Sequence, residues 1–178
     1  GDYIARQTPK QVDTQHEAFK SSQESVQARI NRLLSVRGKK SVDEIHRRLG
    51  RLVWDHIGMS RNSEGLKKAM EEIRSLREQF WQDVCVVGEA SNRNAELEKA
   101  GRVADFLELA ELMARDALER EESCGGHFRE EHQTPENEAL RDDEKFSHVA
   151  AWAFTGEDEK APHWERHIEN LDFEYVKP

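Results

Sequence analysis

A chain of 178 residues with 36% hydrophobic and 35% charged side chains is long enough for one domain with a real core. Its formal net charge of −9 excludes a general nucleic-acid binder, which needs a basic surface to displace counterions. No apolar run approaches the roughly 18 residues of a membrane span, so no direct membrane insertion is expected. Cys85 and Cys124 stand too far apart in unlike settings for a disulfide framework, which points to a reducing compartment. Gly1 in place of a Met reads as the remnant of a cleaved tag.

Residues 1 to about 37 open with a loose leader containing Pro9 and then turn helical, with Phe19, Val26, Ile30 and Leu33 at helical spacing. The stripe is thin, so this helix is expected to be the least firmly packed. Arg37-Gly38-Lys39-Lys40 ends it, with Gly38 as the stop and cations beside the negative end of the dipole. Ser41-Val42-Asp43-Glu44 is a capping box that starts a second helix, lined on one face by Val42, Ile45, Leu49, Leu52, Val53 and Ile57 and closed by Gly58. After a short turn, Ser63 is the expected N-cap of a third helix with Leu66, Met70, Ile73, Leu76, Phe80 and Val84 on its inner face.

A fourth helix is expected from about Ala95 to Glu122, with Val103, Phe106, Leu107, Ala110, Met113, Ala114 and Ala117 facing inward. Glu111 with Arg115, and Asp116 with Arg120, read as i,i+4 ion pairs on its outer face. Such short connections make neighbouring helices antiparallel. The expected fold is therefore mainly α, an antiparallel three- to four-helix bundle of the spectrin-repeat kind with a short C-terminal β-hairpin or irregular tail. It divides into a leader and N-terminal helix (1–40), a bundle core (41–122) and a corner, loop and tail (123–178), all in one domain.

The chain changes character at Glu121 to Glu131. Gly125 and Gly126 can take positive φ and satisfy a helix C-terminus. They bring Arg129 back beside carbonyls that lack intrahelical partners, and beside Glu121 and Glu122. Glu122, Ser123, His127 and Arg129 are thus expected to form a hydrogen-bonded corner that locks the tail to the bundle. Arg141 and Asp142 lie in the loop that crosses the same region. Beyond it, Phe146 to Phe154 reads as a strand turned by Thr155 to Asp158, with His163 to His167 or Phe173 to Val176 as its partner. A lone hairpin needs a surface to lie on, and that surface need not belong to this chain.

Other chemistry finds little support. Cys124, His127 and His132 lack the further ligands of a tetrahedral zinc site. His163-Trp164-Glu165-Arg166-His167 has its Glu one place too late for a zinc-protease helix. A Cys124 thiolate activated by His127 would sit at the wrong end of a helix dipole. Catalytic, cofactor-binding and metal residues are all expected to be absent.

The cluster Glu122, Ser123, Gly125, His127 and Arg129 resembles the Glu-Ser-Arg-Gly-Ala-His-x-Arg segment of the flavoprotein subunit of succinate dehydrogenase and fumarate reductase. Cys124 stands where that family usually has Arg, and Gly126 where it has Ala. Trp54 to Leu66, with Arg61-Asn62, resembles the family's segment that leads through Gly and Arg-Asn into a helix. Arg93-Asn94-Ala95-Glu96-Leu97 falls where its last long helix begins, and Arg141-Asp142-Asp143 matches its Arg-Asp-Asp. The likeness runs in order from about residue 41 to 178, and the tail favours this family over the related L-aspartate oxidase.

The resemblance implies a subunit that interconverts succinate and fumarate with FAD and exchanges electrons with an iron–sulfur partner subunit. It implies a cytoplasmic protein, peripheral on the inner side of the cell membrane through its complex. The family's flavin and dicarboxylate sites lie upstream of this module, and no Gly-x-Gly-x-x-Gly follows a strand here. The expectation is therefore a C-terminal domain that is inactive by itself and whose corner faces the flavin-binding domain of the same chain. A free-standing helical-bundle interaction or adaptor module is the alternative from a different class.

Overall fold

Each long helix begins where a side chain can close its first turn. The computed structural model describes residues 2, 6, 14–157 and 162–172. In α1 (Glu17–Ser35) the cap is His16, whose Nδ1 accepts from Ala18 N at 3.2 Å. In α2 (Val42–Leu52), which follows the two-residue strand β1 (Lys40–Ser41), Ser41 Oγ accepts from Glu44 N at 3.1 Å. The expected Ser63 cap gives way to Asn62. Its amide oxygen accepts from Gly65 N at 2.8 Å, after β2 (Ser60–Arg61) and at the start of α3 (Ser63–Asp83). Past β3 (Val84–Cys85), Asn94 Oδ1 accepts from Leu97 N at 3.0 Å to open α4 (Ala95–Glu119).

The core lies between α2, α3 and α4, where Ile45, Leu66, Ile73, Leu76, Phe80 and Leu107 are fully enclosed. The start of α2 lies beside the end of α3, since Lys40 and Ser41 pair in parallel with Val84 and Cys85. The start of α3 lies beside the end of α4, through contacts described below. The first helix joins only by its C-terminal half. Leu33 is buried and Arg29 reaches Asp105 and the Gly101 carbonyl, whereas Phe19 and Val26 are half or more exposed. The thin stripe is thus loosely attached, as its spacing suggested.

Three local features depart from the sequence reading. The positive φ after α1 falls on Arg37 (48°), not on Gly38. Gly38 is instead a close approach: a Cβ there would lie 2.0 Å from the Asp83 carbonyl. The second departure is a π-helical turn, Val53–Ile57, that continues α2. At about 100° per residue, an unbroken α-helix would carry Ile57 about 80° past the stripe set by Leu49. The wider turn brings Ile57 back into the core and leaves Trp54 84% exposed. The third concerns Glu111, expected outside with Arg115. It is fully buried and accepts from Arg74 Nε and Arg77 Nη1, both at 2.6 Å. Asp116 likewise turns from Arg120 to Trp152. Phe106 and Met113, expected inside, are 42% and 45% exposed. Two arginines from α3 hold the long helix so that its inner face presents Val103, Leu107, a row of alanines and one carboxylate.

The long helix stops at Glu119, three residues before the expected end, and Gly125 and Gly126 therefore do not cap it. They form the tip of a tight turn closed by Cys124 N to His127 O (2.8 Å) and His127 N to Cys124 O (3.1 Å), with Gly125 at φ 58°. After β4 (Phe128–Arg129) and the short helix α5 (Asp143–Phe146), the tail is an antiparallel hairpin of β5 (His148–Glu157) and β6 (Pro162–Asn170). The strand begins two residues later and runs further than expected, because an irregularity between Phe154 and Gly156 absorbs the predicted turn. The partner contains His163 to His167, while Phe173 to Val176 and the Pro9 leader lie outside the described residues. The hairpin lies on the end of α4. Trp152 Nε1 donates to Asp116 (2.7 Å), Arg166 pairs with Glu119 (2.8 Å), and Arg115 stands over the Trp164 ring.

Glu111→Gln removes the buried carboxylate that buried Arg77 shares with the partly exposed Arg74, and the expected loss is about 3 kcal/mol. Leu107→Ala is expected to cost about 2–5 kcal/mol as a buried truncation. Phe19→Ala, at a half-exposed site, is expected to stay near 0.5 kcal/mol. Urea melts of the three variants at pH 7 measure the order.

Candidate functional site

The last carbonyls of an α-helix have no intrahelical N–H to accept from, so the end of α4 needs donors from elsewhere. Arg129 supplies them. Its Nη1 reaches the carbonyls of Ala117 (2.9 Å), Leu118 (3.1 Å) and Arg120 (3.4 Å), and its side chain is 3% exposed. His127 Nε2 adds a bond to the Arg120 carbonyl at 2.8 Å. That contact fixes the tautomer with the proton on Nε2.

Ser123 sets Arg129 in place. Its hydroxyl accepts from Arg129 N at 2.8 Å and donates to Arg129 O at 3.1 Å, and it is fully buried. The same segment joins the start of α3. Ser60 and Arg61 pair in parallel with Phe128 and Arg129, with Phe128 N bonding Met59 O (3.2 Å) and Glu130 N bonding Arg61 O (2.9 Å). Glu130 accepts from Ser60 Oγ (3.0 Å) and Asn62 Nδ2 (2.7 Å), while Glu131 accepts from Ser63 N and from Arg129 Nε (3.2 Å).

Glu122 organises the other side. It is 2% exposed, and one oxygen takes Arg120 Nε (2.8 Å) and Nη2 (2.6 Å). The other accepts Asp142 N at 3.0 Å. Asp142 in turn caps α5 by accepting from Lys145 N (3.2 Å), and Arg120 Nη2 also donates to Phe146 O (3.2 Å). The loop before the hairpin is therefore tied to a buried carboxylate.

Of the six residues singled out in the sequence, Glu122, Ser123, His127 and Arg129 come together, and Asp142 joins them through its backbone. Arg141 does not join them, because its exposed side chain turns to Asp143. The expected pairing of Arg129 with Glu121 and Glu122 is also replaced. Glu131 is its carboxylate, because Arg120 already occupies Glu122. Sequence reasoning missed Arg61, Asn62, Arg120 and Glu131 as members of the cluster. The run Arg61-Asn62 was the visible signal, one strand position from the glycine turn in space but about sixty residues away in sequence. Cys124 is half-buried within the tight turn, and His127 is committed to the helix end rather than to that thiol. Among the described residues no three His, Cys, Asp or Glu side chains converge as a metal set.

Burial holds the His127 imidazolium below its ordinary pKa of 6.5, against the Arg120 carbonyl bond, and Arg61, Arg120 and Arg129 push in the same direction as burial. Since the unfolded chain then takes up the proton first, this contribution to stability is present above about pH 6.5 and is lost as pH falls through the folded value. Chemical melts from pH 7.5 to 5 are expected to steepen in their pH dependence through His127, and His127→Gln, which keeps a donor for the helix end, is expected to flatten that part. Arg129→Met leaves three carbonyls short of a buried charged donor, with an expected loss of about 3 kcal/mol in the same melts.

A family model described as "Fumarate reductase flavoprotein C-term" matches residues 46–178. The fumarate reductase flavoprotein subunit of Helicobacter pylori is 32% identical over 165 residues, which cover 89% of this chain and 22% of that protein. The corresponding subunit of Haemophilus influenzae is 26% identical over 129 residues, 72% of this chain and 21% of that protein. The chain thus spans about a fifth of the length of these relatives. Among solved structures, a quinol–fumarate reductase with menaquinol molecules superposes with a TM-score of 0.77 at 20% identity, over 98% of this chain and 29% of that one. The Mycobacterium smegmatis Sdh1 complex in the apo form gives 0.77 at 18% identity, over 98% and 27%. These two show the fold alone. With the family match over residues 46–178 and the Helicobacter relative, the chain belongs to the fumarate reductase flavoprotein C-terminal family, as the C-terminal domain of a succinate dehydrogenase or fumarate reductase flavoprotein subunit.

Proposed function

We propose that this chain is the structural C-terminal module of a subunit that interconverts succinate and fumarate, with FAD held by a preceding domain. The complete subunit exchanges electrons with an iron–sulfur subunit and sits peripherally at the inner face of the cell membrane through that complex. The division into leader (1–40), bundle (41–122) and corner with tail (123–178) serves one purpose in this reading: the bundle is the platform and the corner is the face turned to the flavin-binding domain.

The observation that carries the reading is the corner itself. A helix end needs one or two donors to be closed, yet here Glu122, Ser123, His127 and Arg129 join three distant segments into one polar face beside the exposed Gly125–Gly126 tip. The described residues of this chain do not fit FAD. A dinucleotide is held by an open helix N-terminus behind a glycine-rich turn, whose free N–H groups face the pyrophosphate. The four long described helices each have that position filled by their own cap, His16, Ser41, Asn62 or Asn94. The chain's own contribution is thus to shape and hold a surface, and no proton or hydride step is assigned to it.

The purified chain, mixed with excess FAD and passed over a gel-filtration column, is expected to elute colourless and to leave succinate unoxidised. A stoichiometric yellow complex overturns the reading.

A further inference from the structure

Arg61 is a cation of the corner that has no carboxylate partner among the described residues. Arg61 stands opposite Arg129 in the parallel β2–β4 pair and is half-buried. Its guanidinium has five N–H donors. Among the described residues its one hydrogen bond is a long one, from Nη2 to the Gly126 carbonyl at 3.3 Å. Nε is shut away from solvent with no acceptor, so Nη1 and Nη2 form the open end of the fork.

Every carboxylate nearby is already engaged. Glu122 holds Arg120 and the Asp142 N–H, Glu130 holds Ser60 and Asn62, and Glu131 holds Ser63 and Arg129. Asp116 draws on Arg61 from a distance, but it accepts Trp152 Nε1 and forms no ion pair with Arg61. Burial lowers the Arg61 pKa and the charge of Arg129 lowers it further, with Asp116 opposing both. Arg120 and His127 are the other basic groups at this face, and both are bonded elsewhere. An arginine in such a place, planar and half desolvated, is matched by a carboxylate that meets two of its N–H groups at once. The approach is open, because a Cβ added at Gly125 or Gly126 would meet nothing within 4 Å.

We propose that Arg61 is a carboxylate-binding side chain, and that an acidic side chain of the flavin-binding domain fills it when the subunit is complete. The second half rests on the reading of the corner as that domain's docking face; the first half does not.

Malonate is the probe for the site. Titrated into this 178-residue chain at pH 7, with chloride at equal ionic strength as the reference, it is expected to give saturable shifts in the Arg61 Nε–H and in the amides of Gly125, Gly126 and His127. Arg61→Gln is expected to weaken that binding by at least about tenfold, which is about 1.4 kcal/mol. Arg141→Gln, at an exposed arginine outside the cluster, is expected to leave it unchanged. If Arg61→Gln fails to fold, Arg61→Lys keeps the charge without the fork and is expected to weaken malonate while melting like the parent chain. No saturable shift, or the same affinity in the Arg61 variants, overturns the site.

The source of the carboxylate is then read by adding the separately purified flavin-binding domain. Loss on docking of the malonate shift at the Arg61 Nε–H, with docking weakened in Arg61→Gln, supports the acidic side chain. A malonate shift at that Nε–H that persists unchanged in the complete subunit overturns that source and assigns the site to a free carboxylate. A domain that does not dock at all, with malonate binding intact, overturns the docking face and leaves the carboxylate site standing.

Discussion

Arg129 closes the end of the long helix, and the arrangement of the C-terminal third depends on that contact. The Ala117 and Leu118 carbonyls would otherwise lose this donor, at a cost of about 1–3 kcal/mol for each one left unpaired, and the Arg120 carbonyl would keep only His127. A single guanidinium reaches all three because Ser123 clasps the Arg129 backbone in both directions. The same backbone stretch pairs with Ser60 and Arg61, so the start of α3 is held beside the end of α4. Glu122 then uses its second oxygen to catch the loop that leads to the hairpin. Helix end, strand pair and tail are consequently not separable units.

A second buried charge centre lies midway along the bundle. Glu111 shares its two oxygens between Arg74 and Arg77, giving a local charge of +1 inside a chain whose total is −9. Desolvating such a group costs more than burying a leucine there would, and its pairs offset that cost without a large surplus. What it adds is register. A carboxylate that must meet two arginines a helical turn apart admits one rotation and one height of α4 against α3, where alanines alone would slide. Arg77 Nη2 is left buried without an acceptor among the described residues.

The helices were legible in the sequence because their signals are local. Ser41 with Glu44, and the stripes of α2 and α3, act within a turn or two of chain. Long-range partners were not legible. A helical wheel places Glu111 beside Arg115 and cannot know that α3 offers two arginines at the matching height. Gly38 looked like a conformational stop, but what demands glycine there is the Asp83 backbone from another element. The π turn after Leu52 has no mark in composition, since its cause is the pull of Ile57 toward the core. Within the corner, Glu122, Ser123, His127 and Arg129 were readable because they crowd into eight residues. Arg61 was not, because the strand pair that brings it beside Arg129 joins segments far apart in the sequence.

The C-terminal hairpin is a two-stranded sheet, so each strand keeps one hydrogen-bonding edge free of a described strand. The two edges are not alike. β6 carries Glu165, Arg166, His167 and Glu169, charges that discourage another chain from aligning there. β5 has no charged side chain from Val149 to Gly156, and Val149 and Phe154 are 48% and 58% exposed. Without a neighbour laid along it, β5 is therefore the edge less protected against the addition of a further strand, and β6 the one its charges guard.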